Sequence, residues 1–174
     1  MMRFYYYWIA VLVFILDFAT KRLIETKLEI MEQISVIGNF FLITSHRNRG
    51  AAFGILQEQR VFFIIITIVI VSGLIWYIQA MRKTAKPWLL IGLGLVLGGA
   101  IGNFLDRLRF GEVTDFLQFN FGSYSFPIFN VADSGIVCGV ALILIDTLLS
   151  AKDEKERSQN GEDKDQNNHE QQPV

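Results

Sequence analysis

The 174-residue chain is poor in the residues that most catalytic and metal sites need. Its single cysteine, Cys138, excludes an internal disulfide framework and any zinc site built from several thiolates. Its two histidines, His46 and His169, form no His-Glu-x-x-His pair, which removes metalloprotease logic. A serine peptidase of the membrane kind would need a histidine facing Ser134, but His46 reads as loop and His169 as tail. Cys138 lacks a histidine partner in the same way and reads as a small core residue. A net charge of −1 with no basic stripe leaves nothing to hold phosphates, so nucleic acid is not an expected partner.

Charge itself is scarce and unevenly spread. Hydrophobic residues make up 52% of the chain and charged ones 19%, too apolar for an ordinary soluble domain. Residues 151–174 hold 11 of the 33 Asp, Glu, Lys and Arg side chains, with Ala151 and Val174 their only apolar residues. The chain therefore divides into a membrane domain, 1–150, and a charged tail, 151–174, expected to be solvated and disordered in the cytoplasm.

A hydrocarbon core of about 30 Å takes roughly 20 apolar helical residues to cross. Four stretches qualify: Phe4 to about Ile24, Val61–Met81, Trp88–Leu105 entered through Pro87, and about Asn130–Ser150. The first has too long an apolar run, and no small-x-small site before Asp17, to be a cleaved signal peptide. Four spans put both termini on one side. Lys and Arg number eight on each side, so the total does not orient the chain. The short loop Arg82-Lys83-Thr84-Ala85-Lys86, with three positive charges and no negative one, points to the cytoplasm and takes both termini with it. The opposite side then carries the segments at about 25–60 and 107–129. Ser35–Thr44 and Val113–Phe121 within them read as extended, and strands at a membrane surface belong in a small sheet resting on the helix ends. The expected fold is an all-α membrane protein with four transmembrane helices and a small extracytoplasmic β-sheet and loop.

Carboxylates at the bilayer centre cost about 2.5–3.5 kcal/mol each on insertion scales. Asp17, Asp106, Asp133 and Asp146 fall in or at the ends of spans, and Asp115 falls in an apolar surface strand. Asp146 fits pairing or snorkelling near a helix end, and Asp17 with Lys21 at i+4 fits pairing as well as function. Asp106 and Asp133 each have an asparagine three residues earlier, Asn103 and Asn130, on the same helix face. Arg107, at i+4 from Asn103, can turn toward the same cluster. Gly94, Gly98 and Gly102 form a small-residue stripe leading into Asn103, suited to close helix packing. What this inventory leaves is aspartic hydrolysis or an ion pathway.

The blocks around these residues are similar to the signature of bacterial lipoprotein signal peptidase, the signal peptidase II family. They are Asp17 with Thr20-Lys21; Asn48-Arg49-Gly50-Ala51-Ala52-Phe53-Gly54; Gly102-Asn103-Phe104-Leu105-Asp106-Arg107; Val113-Thr114-Asp115-Phe116; and Phe126 to Ser134. They keep the family's order and spacing from about residue 10 to 150. Phe18 stands where the family usually has glutamine, and the acidic tail is outside the pattern.

The resemblance implies an aspartic endopeptidase of the bacterial inner membrane that cuts prolipoproteins before a diacylglyceryl-modified cysteine, without metal or organic cofactor. By motif position Asp115 and Asp133 match the catalytic pair, although Asp106 also lies in a signature block. Asn48 and Arg107 match contacts to the substrate backbone or to the mimicking antibiotic globomycin. Asn103, Asp106 and Asn130 match a supporting polar shell, Asp17 a structural position, and Gly50 a flexible point of the Asn48 loop. Expected partners are the lipidated substrate and membrane lipid, with the chain acting as a monomer. Two carboxylates about 4 Å apart repel by about 4 kcal/mol at an effective dielectric near 20, so such a pair holds one shared proton. The rival reading is a proton- or ion-coupled transporter, disfavoured because the spans show no paired halves.

Overall fold

The computed structural model describes residues 4–50 and 55–170, with side chains described as far as residue 152. Four helices and four strands follow in the order α1 (Tyr5–Lys27), β1 (Gln33–Ile37), β2 (Phe41–Asn48), α2 (Arg60–Met81), α3 (Pro87–Phe110), β3 (Val113–Phe121), β4 (Tyr124–Ser125) and α4 (Val131–Glu170). Among the described residues, α2, α3 and residues 131–152 of α4 are long and apolar enough to cross a membrane. Asp17, Lys21 and Arg22 set α1 apart from these three.

α3 is the central helix. Pro87 opens it, where a missing N–H costs nothing, and Gly111 closes it in the left-handed conformation at φ +79°. Two glycine faces let its neighbours approach closely. A Cβ built on Gly94 or Gly98 would lie 2.5 or 2.4 Å from the carbonyl oxygen of Tyr6 or Ala10 on α1. A Cβ on Gly99 would lie 2.3 Å from the Ala132 carbonyl of α4, and Gly92 faces Gly139 in the same way. α2 packs mainly on α3, with Gln79 donating to the Tyr7 hydroxyl of α1, and leaves Val61, Ile65, Val69 and Trp76 exposed as a lipid-facing surface would be. The small-residue stripe read from the sequence is thus one of two.

The strands form one antiparallel sheet in the order β1-β2-β3-β4. The expected strand Ser35–Thr44 is instead a hairpin, because Gly38 turns at φ +50° and divides it into β1 and β2. β3 has the bounds the sequence suggests. Ile43 pairs with Leu117 and His46 with Asp115, so β2 carries one extra residue over this step. That bulge changes which β2 side chains share a face with Asp115: His46 and Asn48 now do, and Arg47 joins Thr114 on the other face. α4 continues as helix through the charged segment to Glu170, where the sequence reading expects an unstructured tail. Its Glu, Lys, Arg and Gln residues are good helix formers and no proline intervenes before Pro173.

Candidate active site

The site is built on the start of α4. Asn130 precedes the helix and its Oδ1 accepts the Asp133 N–H at 2.9 Å, while Asp133 Oδ2 accepts the Asn130 N–H at 3.2 Å. This is a reciprocal capping box, and it serves two of the N–H groups that a helix start leaves without partners. Asp17 of α1 serves a third, its Oδ1 accepting the Ala132 N–H at 2.9 Å. The Asn130–Asp133 spacing reads from sequence as one helix face. The structure makes it a cap, with Asn130 outside the helix.

Asn130 also reaches the sheet. Its Nδ2 donates to Asp115 Oδ1 at 2.7 Å, and Asn48 Nδ2 donates to Asp115 Oδ2 at 2.9 Å. One asparagine therefore binds both aspartates, Asp115 by its amide nitrogen and Asp133 by its oxygen and backbone. Asp115 is 2% exposed. Burial first, and then the negative charge of Asp133, push its carboxyl up to about 7 against the pull of the two asparagine hydrogen bonds.

α3 supplies the floor. Asn103 Nδ2 donates to Asp133 Oδ1 at 2.7 Å, and Asn103 Oδ1 accepts from Asn130 at 3.2 Å and from Lys21 Nζ at 3.0 Å. Lys21 forms ion pairs with Asp17 at 2.7 Å and Asp106 at 2.9 Å. Arg107 lies over the Phe63 ring of α2, 4.5 Å from its centroid, and donates to the Gly50 carbonyl at 3.0 Å. Gly50 in turn donates its N–H to Asn48 Oδ1 at 3.0 Å, so the Asn48 loop is fastened at both ends of this turn. Ala51 to Gly54 of that block lie outside the described residues.

A cavity of about 510 Å³ opens over these groups, walled by Asn48, Gly50, Asn103, Arg107, Asp115 and Asp133 on the polar side. Phe126, Pro127, Ile128, Phe129, Ile136, Val137 and Cys138 form an apolar side. Polar groups that meet at one wall of an apolar cavity suit a substrate with a reacting amide and a hydrocarbon part. Among the described residues no cluster of metal ligands occurs.

Asn48, Gly50, Asn103, Arg107, Asp115, Asn130 and Asp133 therefore converge. Asp17 and Asp106 stand behind them, joined through Lys21. Asp106 pairs with Lys21 of α1 while the adjacent Arg107 turns to the Gly50 carbonyl, because the two side chains leave α3 in different directions. Several expectations are corrected. His46 is in β2 opposite Asp115, not in a loop. Cys138 is exposed on the cavity side of α4 instead of being core, since Ala132, Gly135 and Gly139 make the packed face. Asp146 is buried, and α4 continues well past it instead of ending one turn later.

Sequence reasoning gave Lys21 no place in the site; a lysine one turn after Asp17 in an apolar helix was the available signal. It also passed over Glu25, which accepts from Thr114 at 2.7 Å and pairs with Arg47 at 3.0 Å, bracing the strand that carries Asp115 from its far face.

A family model described as signal peptidase (SPase) II matches residues 9–149. The lipoprotein signal peptidase of Bacillus pumilus is 49% identical over 153 residues, covering 87% of this chain and 97% of that protein. The lipoprotein signal peptidase of Geobacillus kaustophilus is 48% identical over 150 residues, 86% and 97% of the two chains. A bacterial membrane enzyme solved by the in meso method superposes with a TM-score of 0.78 at 44% identity, covering 85% of this chain and 90% of its own.

Proposed function

The chain belongs to the signal peptidase II family, and on that premise we propose that it removes signal peptides from diacylglyceryl-modified prolipoproteins with Asp115 and Asp133 as its catalytic pair. The observation that carries the assignment is Asn130, which binds Asp115 at 2.7 Å and forms the capping box with Asp133 at the wall of the cavity. Asp115, the more buried carboxyl, holds the shared proton, and ionised Asp133 takes a proton from the attacking water. Asp115 donates to the scissile carbonyl oxygen as the tetrahedral centre forms. Asp133 then returns its proton to the leaving amine while Asp115 takes back a hydroxyl proton as the carbonyl re-forms, which restores the pair. Asn48, held by Gly50, and Arg107, held over Phe63, position the peptide, and globomycin would occupy the same groove. The apolar wall takes the substrate's hydrocarbon, so binding remote from the scissile bond sets its place.

We read α1 as a fourth span. Its 23 residues extend about 35 Å, and its buried charges are paired inside the bundle. The loop at 82–86 and both termini are assigned to the cytoplasm. The site, at the other ends of α1 and α3, then faces the outer side of the cytoplasmic membrane. One chain supplies all of the named residues, in keeping with a monomer.

The test is purified protein in detergent given a prolipoprotein with and without its diacylglyceryl group. Cleavage confined to the lipidated form is expected; equal cleavage of both would remove the lipid from the recognition. Because Asp115 acts protonated and its carboxyl titrates at about 7, kcat/KM should fall as pH rises through that value. A pH–rate profile flat from 6 to 8.5 would oppose the assignment of the acid.

Arg107→Lys keeps the charge but loses the planar guanidinium that lies on Phe63 while it donates to Gly50. Cation–π contacts are worth about 0.5–2 kcal/mol, so KM should rise by about 2- to 30-fold. An unchanged KM would separate the loop fastening from substrate binding.

A further inference from the structure

We propose that Lys21 is a positioning residue of this peptidase, turning Asn103 so that its amide nitrogen rather than its carbonyl oxygen meets Asp133. The inference rests on the assignment of the aspartate pair above. Lys21 is 1% exposed, and its ammonium has three neighbours: Asp17 Oδ2 at 2.7 Å, Asp106 Oδ2 at 2.9 Å and Asn103 Oδ1 at 3.0 Å. An ammonium has three donors and no acceptor, so the end of Asn103 that it meets must be the carbonyl oxygen. The two ends of an asparagine amide are nearly the same in shape, so partners alone decide which one faces Asp133. Asn130 Nδ2 also donates to that oxygen, at 3.2 Å, but the same amide already serves Asp115 at 2.7 Å. Lys21 is the charged partner, and with Asn103 Oδ1 held, Asn103 Nδ2 points at Asp133 Oδ1 at 2.7 Å.

A counter-ion for two buried aspartates would need no third contact. Replacing buried ion pairs by apolar groups is often neutral for stability, so the link to Asn103 is what gives this lysine a chemical consequence. Without Lys21 the Asn103 amide is free to turn its oxygen toward the ionised base, which repels it. The charged groups around the cluster are Asp17 on the same helix, Asp106 and Arg107 on α3, Asp115 on β3 and Asp133 on α4. The Lys21 charge also favours ionised Asp115, so its removal extends the protonated form to higher pH.

The experiment compares full-length Lys21→Met with the parent in detergent, on a lipidated prolipoprotein, with kcat, KM, pH profile and thermal unfolding measured. Asp106→Asn, the charge-conserving pair K21M/D106N and Asp115→Asn run in parallel. In the pair, Asp17 keeps its hydrogen bond to the positive end of α4, which favours folding. Misplacement at this distance from the chemistry costs about 10- to 100-fold. kcat should fall by that factor in Lys21→Met, and in the pair relative to Asp106→Asn alone, with KM within about twofold. The basic limb of Lys21→Met should move to higher pH because the lost charge no longer favours ionised Asp115, and the fall in kcat of the pair, where net charge is kept, is what a counter-ion role would not produce. A folded pair with the kcat of Asp106→Asn would overturn the proposal, as would a pair that does not fold, since Lys21 would then be a folding counter-ion. Cleavage that survives Asp115→Asn would instead sink the assignment of the pair itself.

Discussion

Asp115→Asn and Asp133→Asn should each lower cleavage of a lipidated prolipoprotein by about 10³-fold or more while leaving a folded protein. General acid–base groups contribute about 10²- to 10⁴-fold each, and members of one catalytic unit are not additive, so the double variant should be no slower than either single one. The fold survives because asparagine keeps the shape of the carboxyl. At Asp115 it exchanges one of the two amide hydrogen bonds, from Asn48 or Asn130, for a poorer contact worth about 1 kcal/mol. At Asp133 the capping box keeps an oxygen acceptor. Asp106→Asn is the informative companion. Asp106 touches Lys21 and not Asp133, so its loss should be smaller than either. Cleavage that persists in Asp115→Asn and disappears in Asp106→Asn would move the acid to Asp106.

Gly99→Ala should have the second-largest effect, this time on stability. The added Cβ would sit 2.3 Å from the Ala132 carbonyl oxygen and 2.8 Å from Ile136, and backbone on one side of it does not rotate away. Relief requires α3 and α4 to part, and Ala132 is next to Asp133. Overpacking of this kind costs about 1–3 kcal/mol, so unfolding in detergent should shift to lower temperature and activity should fall with it. Gly73→Ala on α2 is the control. Nothing lies within 4 Å of its Cβ, and alanine is the better helix former, so stability should hold or rise slightly. Equal shifts from both substitutions would mean that close packing of α3 on α4 does not limit stability.

Much of this molecule could be read from residue order. Long uncharged runs under-supplied with polar groups form helices in an apolar medium, whatever their neighbours, which is why Val61–Met81 and the start of Trp88–Leu105 agree with the helices to within one residue, while α3 runs on past Leu105 to Phe110. Carboxylates and amides stand out there because each is costly unless something binds it, so Asn103, Asp106, Asn130, Asp115 and Asp133 could be picked as a set. Their pairing could not. Motif position favoured Asp115 over Asp106, but only the fold shows β3 carrying Asp115 to Asn130 while Asp106 pairs with Lys21.

The sequence by itself determined the membrane class, the helix positions and the kinds of chemistry available, because hydropathy and residue type act locally. Contacts that depend on one element's placement against another were decided only by tertiary structure. Strict alternation along β2 would set Arg47 on the face of Asp115, and one extra residue between Ile43 and His46 sets Asn48 there instead. A lysine that reads as an i+4 partner of Asp17 becomes the centre of the polar floor only because glycines let α1 lie against α3. Side chains remote in sequence meet at distances of about 3 Å, and close packing, which no single segment encodes, sets those distances.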